Sequence, residues 1–391
     1  MKNIVENVPL WSVTIWDKNF NGVEKSWQEK TIKYKYLLSD ELDRINIGGE
    51  VRLLYTGQDV GYTTEELAGE AICDGEIVSI PWGGTPSVKY YKGKFVTGDN
   101  RIATSSKPNE LLNKFLFYYM KGHLREIASY YRGAGLKHPA MRDVLKMNIS
   151  YPSVIDQEGI IKQFEAIENL IALRQKQLET MDSLIKARFV EMFGDPISNE
   201  KRWPTDPLTC ACFKIYGGGT PSKSHPEYFE GSIPWVSPKD MKSDVIIDSI
   251  DHITEDAIEN STTNLVPEGS VLMVIRSGIL KHDLPVAINA VPVTINQDMK
   301  AFVPGESITA SFLRNYFKAI ESDVLAGVRG VTADNIDFKA FQQREIIIPP
   351  ILLQNEFEEF CKQVDKSKSV IQKSLDETQL LFDSLMQQYF G

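Results

Sequence analysis

LIKARFVEMFG (Leu184–Gly194) and LFDSLMQQYFG (Leu381–Gly391) close the two halves of this chain, 197 residues apart. The same shift lays Phe115-Leu116 on Phe312-Leu313, Tyr119 on Tyr316, and Arg132-Gly133 on Arg329-Gly330. It also lays Ile149 on Ile346, Pro152 on Pro349, Gln157 on Gln354, Gln175-Lys176 on Gln372-Lys373 and Leu178 on Leu375, with no gap from Phe115 to Gly194. A fixed period of this length marks an internal repeat. Upstream the halves still correspond, with slips. Pro9-Leu10 matches Pro207-Leu208, YTGQDV (55–60) matches VSPKDM (236–241), GEIVSIPWGG (75–84) matches GSVLMVIRSG (269–278), and TGDNRIA (97–103) is comparable with INQDMKA (295–301).

The tightly repeated end of each half reads as one long helix. Residues 157–192 lack proline and carry Ile160, Phe164, Ile167, Ile171, Leu178, Met181 and Ile185 at alternating four- and three-residue steps, Arg174 filling the missing step. The copy, 354–389, gives Phe357, Cys361, Val364, Ile371, Leu375, Phe382 and Leu385, interrupted by Lys368 and Thr378. This is a coiled-coil seam, and the polar interruptions help set register. Each helix would run to ~54 Å at about 1.5 Å per residue. Two seams of equal length in one chain predict that the helices pair, antiparallel, as a two-fold-like relation between the repeats requires. The variable parts between them are strand-rich α/β: short apolar runs such as REIIIPPILL (344–353) are bounded by Gly, Pro or charge, and helical periods fill 113–131 and 312–325. The expected segments are 1–150 and 197–350 for the globular heads, and 151–196 and 351–391 for the helices.

The fragment GGTPS occurs at 83–87 and again at 218–222. A phosphate-cradling P-loop needs G-x-x-x-x-G-K-[ST] between strand and helix, and neither copy has that spacing. In repeat register Gly83-Gly84 matches Ser277-Gly278, not Gly218-Gly219, so the two fragments occupy different places. A Gly-rich turn between strands is the preferred reading.

Other chemistries lack their residues. His225-Pro226-Glu227 has no downstream P-C-x-x-C, Cys210-Ala211-Cys212 has no second ligand pair, and no G-x-S-x-G elbow occurs. Pro349-Pro350 is flanked by Ile, not by the Asn/Asp and aromatic of an amino-methyltransferase. Four scattered cysteines, no run of about 18 apolar residues and an N-terminus unlike a signal peptide point to a cytoplasmic chain off the membrane.

The formal charge is −10, which alone argues against a polyanion. Its distribution matters more. Residues 89–146 hold 12 basic and 4 acidic side chains, interleaved with tyrosines from Tyr90 to Tyr131. This suggests a local polyanion site, or simply a solvated charged surface.

The motifs GGGTPSKSHPEYFEGSIPWVSPKDM (217–241), GSVLMVIRSG, INQDMKAF and REIIIPPILLQNEF in the second half, with GEIVSIPWGG, TGDNRIA, MNISYPSVIDQEGIIKQF and FVEMFGDP in the first, resemble the specificity subunit of type I restriction–modification systems. The resemblance covers the whole chain and is weaker before Arg52. It implies two target-recognition domains, each reading one half of a split double-stranded DNA sequence, joined by two long antiparallel helices that set the spacer and dock modification subunits, two of them. It implies no cofactor and no metal in this chain. S-adenosylmethionine, ATP and Mg²⁺ belong to partners, namely the modification subunits and a restriction subunit with motor and nuclease. The chain is then no enzyme by itself.

DNA-facing candidates follow from that reading. Tyr55, Gln58 and Asp59 lie in one loop, and Ser237, Lys239 and Asp240 in its counterpart; short polar loops suit base edges. Asp59 and Asp240 suit a turn equally well. Trp82 and Arg276 fall in matching positions after apolar strands, Arg276 suiting a phosphate, a guanine or an internal salt bridge. Lys89, Tyr90, Lys92, Lys94 and Arg101 come from the basic stretch, and Lys223 and His225 follow the Gly-rich turn. Phe164, Ile167, Ile171, Leu178, Met181, Ile185, Val364, Ile371, Leu375 and Phe382 are the helix-pairing set. The alternatives are a coiled-coil adaptor with two ligand-binding heads, or a self-sufficient methyltransferase or nuclease.

Overall fold

The computed structural model describes residues 5–18, 34–57, 60–328 and 334–391. They form two units: 1–174 with 374–391, and 175–373. The elements used below are, in the first half, β1 (Val5–Pro9), β2 (Thr14–Trp16), β3 (Val51–Leu54), β4 (Val60–Thr63), β5 (Cys73–Pro81), β6 (Lys89–Thr97), β7 (Asn100–Ser105), α1 (Asn113–Gly122), β8 (Asn148–Tyr151) and α2 (Val154–Phe193). In the second half they are β9 (Thr205–Pro207), β10 (Cys212–Gly217), β11 (Ile233–Val236), β12 (His252–Ile253), β13 (Val271–Val274), β14 (Val286–Asn289), β15 (Thr294–Ile295), β16 (Met299–Pro304), α3 (Ala310–Ala319), β17 (Glu345–Ile347) and α4 (Ile351–Phe390).

The first head is built on one six-stranded sheet, in the order β2-β7-β5-β6-β3-β4. Burial follows strand position. Residues of β4 alternate exposed and buried, as an edge strand with one wet face should, whereas the last five residues of β5, in mid-sheet, are all buried. The second head repeats the framework, with β13 in place of β5, β16 of β7 and β10 of β2. Register shows the equivalence: Val78 opposes Ala103 in β5–β7, and Leu272 opposes Ala301 in β13–β16. These are the pairs that aligning GEIVSIPWGG with GSVLMVIRSG and TGDNRIA with INQDMKA predicts. The long β6 is broken in the second head into β14 and β15, and β15 pairs parallel with β11 as the end of β6 does with β3. Gly98 N–H bonds the Leu54 carbonyl, and Asn296 N–H bonds the Val236 carbonyl, both at 2.9 Å. Tyr55 therefore corresponds to Ser237, one residue from the sequence alignment.

At the start of each long helix the 197-residue repeat holds atom by atom. Gln157, fully buried, accepts from the Leu112 amide at 2.9 Å and donates to the carbonyls of Glu110 and Pro152 at 2.7 and 2.8 Å. Gln354, equally buried, accepts from Thr309 at 2.9 Å and donates to Ser307 and Pro349 at 2.9 and 2.8 Å. A buried amide must satisfy its own polar atoms. Here it does so by tying the loop before α1 or α3 to the turn that opens α2 or α4.

Both helices run 40 residues, a turn or so longer than their seams imply. In each unit they pair antiparallel. In the first, Tyr389 hydroxyl bonds Gln163 at 3.1 Å, Phe164 packs edge-on to Phe382 with centroids 5.3 Å apart, and Arg174 donates to the Ser374 carbonyl at 2.6 Å. In the second, Lys368 bonds Asp182 at 2.7 Å and Phe189 packs against Phe357 at 5.6 Å. Phe164, Ile185, Val364 and Phe382 are buried, and the rest of the predicted pairing set is half-buried. Of the polar steps in the seam, Arg174 and Lys368 are thus bonded across the pair, whereas Thr378 donates to the Ser374 carbonyl of its own helix.

The aromatic ends beyond the predicted seam lock each helix to a head. Phe193, ending α2, sits 4.8 Å from Phe312 of α3, and Phe390, ending α4, sits 5.4 Å from Phe115 of α1. In repeat numbering this contact is reciprocal: the helix that follows one head ends against the other head. That is why the Phe-Gly ends belong to the repeat.

Candidate nucleic-acid interface

Each head opens a cleft at the same place, past the end of its central strand. In the first head it encloses about 600 Å³, bordered by Trp82 after β5, the Gly83–Gly84 turn, Thr56-Gly57 after β3, Asp99 before β7, and His138. In the second it encloses about 770 Å³, bordered by Arg276 after β13, Gln297, Lys300, Asn335 and Lys339. The backbone explains the match. Trp82 N–H bonds the Asp99 carbonyl at 3.0 Å, and Arg276 N–H bonds the Asp298 carbonyl at 3.2 Å. His138 Nδ1 donates to the Trp82 carbonyl at 2.7 Å, while Asn335, 197 residues on, forms an antiparallel bridge with Arg276. One scaffold thus presents two chemistries: an indole beside an imidazole (centroids 5.2 Å apart) in the first head, and a guanidinium among amides and lysines in the second.

The candidate side chains divide on this geometry. Trp82 and Arg276 border the clefts. Arg101 does not: it is 3% exposed, stacked 3.9 Å from the Trp82 ring and paired with Asp99 at 3.1 Å, with Asp17 at 3.9 Å. Strand register puts it where the second head has buried Met299, so it supports the Trp82 ring from within and is corrected from DNA-facing to interior. Tyr55 is likewise interior, its hydroxyl on Asp43 at 3.0 Å. Gln58 and Asp59 lie outside the described residues.

The basic stretch is largely satisfied within the head. Lys89 donates to the carbonyls of Tyr55, Thr56 and Gly57, fixing the loop after β3. Lys92 pairs with Glu76 at 3.3 Å, and Lys94 with Glu65, whose carboxylate holds the ammonium above its usual pKa. Tyr90 donates to Glu76 at 2.9 Å. Tyr118, Tyr119 and Tyr131 are core residues, their hydroxyls pushed up by burial. These three serve packing rather than a stacking surface for bases, while Tyr90, Tyr91 and Tyr130 are half-buried.

In the second head, Asp240 closes its own turn. Its carboxylate accepts from Ser237 amide and hydroxyl, both at 2.8 Å, and from the Ile250 amide at 2.9 Å, so Asp240 acts here as a turn residue. Lys239 stays exposed, paired with Asp251 at 2.9 Å. Lys223 is exposed; His225 bonds Glu227 at 2.8 Å and stacks on Tyr228. The Gly-rich run is a packing turn. A Cβ on Gly218 would lie 1.7 Å from the Asn296 carbonyl oxygen, and one on Gly219 2.5 Å from Thr262 Oγ1. Only glycine lets this turn lie so close to the segments at Asn296 and Thr262, and no phosphate is needed to explain it.

Among the described residues, no group of three or more His, Cys, Asp or Glu side chains is placed to hold a metal ion, and no helix is long and apolar enough to cross a membrane.

Two structurally equivalent heads with differing clefts, on a framework of paired helices, define a duplicated recognition protein. Comparison with known proteins identifies which kind. The profile of the type I restriction modification DNA specificity domain matches twice, over residues 27–181 and 212–378, and the chain belongs to that family. Its function is the family's, specifying the DNA on which a type I restriction–modification system acts. The specificity subunit of the type I restriction enzyme EcoR124I/EcoR124II of Escherichia coli is 28% identical over 392 residues, covering 92% of this chain and 91% of that one. The MjaIX specificity subunit of Methanocaldococcus jannaschii is 30% identical over 140 residues, 35% of this chain and 31% of its own. The fold is shared with the S subunit of a type I system from M. genitalium (TM-score 0.59, 15% identity, covering 100% and 96% of the two chains). It is also shared with a chain from a structure of type I complex assembly (TM-score 0.53, 17% identity, 90% and 93%).

Proposed function

We propose that this chain supplies the address for DNA methylation and restriction. Each head reads one half of a bipartite duplex site, and the helix pair sets the unread spacer and carries two modification subunits. Catalysis, S-adenosylmethionine, ATP and Mg²⁺ belong to the modification and restriction subunits, and the chain itself is non-catalytic. Its place is the cytoplasm, with the DNA.

The observation that carries the partner reading is a duplicated apolar stripe. Ile155, Leu173 and Leu184 on α2, and Leu352, Val370 and Leu381 on α4, are 45% to 81% exposed and stand 197 residues apart pair by pair. Steps of 18 and 11 residues are close to five and three helical turns, so each trio lies on one helix face. Surface apolar residues scattered singly need no explanation, but a row that recurs in register marks a contact surface. Two apolar rows in matching register suit two copies of one partner.

Leu173→Asp should reduce the modification subunits bound from two to one, Val370→Asp should do the same, and the double variant should bind none. Native mass spectrometry of the purified complex reads the count. Two subunits retained by the double variant would remove this surface from the account.

A further inference from the structure

We infer that Arg276 is the side chain that reads a guanine in the second half-site, with Asp298 as its positioning residue. The inference rests on the reading of the heads as half-site readers and names the base chemistry of one of them. Arg276 Nε and Nη2 both reach the same oxygen, Asp298 Oδ1, at 2.6 and 2.5 Å. That pairing occupies one edge of the guanidinium. Among the described residues the other edge, Nη1 with the outer hydrogen of Nη2, takes no partner and presents a two-pronged fork. The Arg276 side chain is 46% exposed and borders the cleft, so the fork has solvent to face.

Asp298 is itself held. Asn296 donates to its other oxygen at 3.2 Å and accepts from its backbone amide at 3.1 Å, and the Asp298 carbonyl takes the amides of Ile275 and Arg276. The Arg276 backbone is also fixed, by its bridge to Asn335. A guanidinium supported in this way has less rotamer freedom to lose on binding. Its free fork matches the O6 and N7 acceptors that only guanine presents side by side in the major groove. A phosphate could take the same fork, but the Asp298 carboxylate beside it offsets the charge on which phosphate binding depends, and this favours the neutral acceptor pair of guanine. The first head has Trp82 at the equivalent place, so this contact has no counterpart there.

The test maps the methylated motif in host cells carrying the chain with its modification subunits. The wild-type second half-site should contain a G·C pair at which Arg276→Ala and Arg276→Lys both relax the motif, and the first half-site should be unchanged. On duplexes bearing the mapped site, discrimination at that pair should fall by about tenfold to a hundredfold. Asp298→Asn, which keeps Arg276 but weakens its support, should relax the same position to a smaller degree. A second half-site without G·C, or an unaltered motif in the Arg276 variants, overturns the inference. So does full discrimination in Arg276→Lys, since lysine keeps the charge but not the fork; that result assigns Arg276 to phosphate. If the wild-type complex methylates no bipartite motif at all, it is the half-site reading that fails.

Discussion

Gln157 and Gln354 each tie three backbone groups to a helix start, and the bonds are the same in both halves. Replacing either by Ala strands a buried amide and carbonyls, at roughly 1–3 kcal/mol for a buried group left unpaired. Urea denaturation should therefore show Gln157→Ala and Gln354→Ala destabilised by similar amounts; a neutral result for either would contradict the repeated clasp. Asp17 offers a pH test. Burial pushes its carboxyl above the usual 3.8, against the opposing Ile102 amide and Arg101 charge. The folded state then holds the proton more tightly than the unfolded chain. The stability Asp17 contributes is full below pH 3.8 and lost as pH rises through its raised value. The stability advantage of wild type over Asp17→Asn should shrink with rising pH across the acid range. An advantage that grows instead would mean that the pairing with Arg101 outweighs burial. At this scale the sequence was only partly legible. Arg101 reads as a surface cation, because neither the Trp82 ring over it nor Asp17 beside it is near in the way a repeat or a period reveals. Lys92 and Lys94 read as free for the same reason: Glu76 reaches Lys92 across a strand pair, and Glu65 reaches Lys94 from the short helix Glu65–Ala68.

Among elements, the helices were the most legible, since a seam of apolar residues at alternating steps has few other solutions. Their aromatic ends were not. Phe189, Phe193 and Phe390 lie past the seam and owe their burial to Phe312, Phe357 and Phe115, which only the reciprocal packing brings near. Phe193→Ala and Phe390→Ala should each cost about 3–5 kcal/mol, as buried aromatics do, with Phe193→Ala acting on the second unit and Phe390→Ala on the first. Hydrogen exchange resolved by segment separates the two; equal loss of protection in both units would argue against the unit-by-unit pairing. The strands were legible as apolar runs and, through the repeat, as register: the Val78–Ala103 and Leu272–Ala301 pairs follow from the aligned motifs. The break of β6 into β14 and β15 carried no comparable signal, because β15 is two residues long. Leu178→Pro, within α2, should cost about 3 kcal/mol or more and abolish assembly with modification subunits, read by co-purification; unchanged co-purification would contradict a docking role for the helices.

For the whole molecule, the repeat carries nearly all of the reading. An ungapped register across the helices, beside heads that slip in length, is the pattern of separate readers on a constant frame. The structure adds that the frame extends into the heads, to the strands that lead into Trp82 and Arg276, and that the part differing between the heads is what borders each cleft. The most direct measurement exchanges residues 197–348 for the equivalent part of a relative with a known motif and maps the methylated sequence in cells. The account predicts a new second half-site, with the first half-site and the spacer length unchanged. A swap that alters both half-sites, or the spacer, would contradict it.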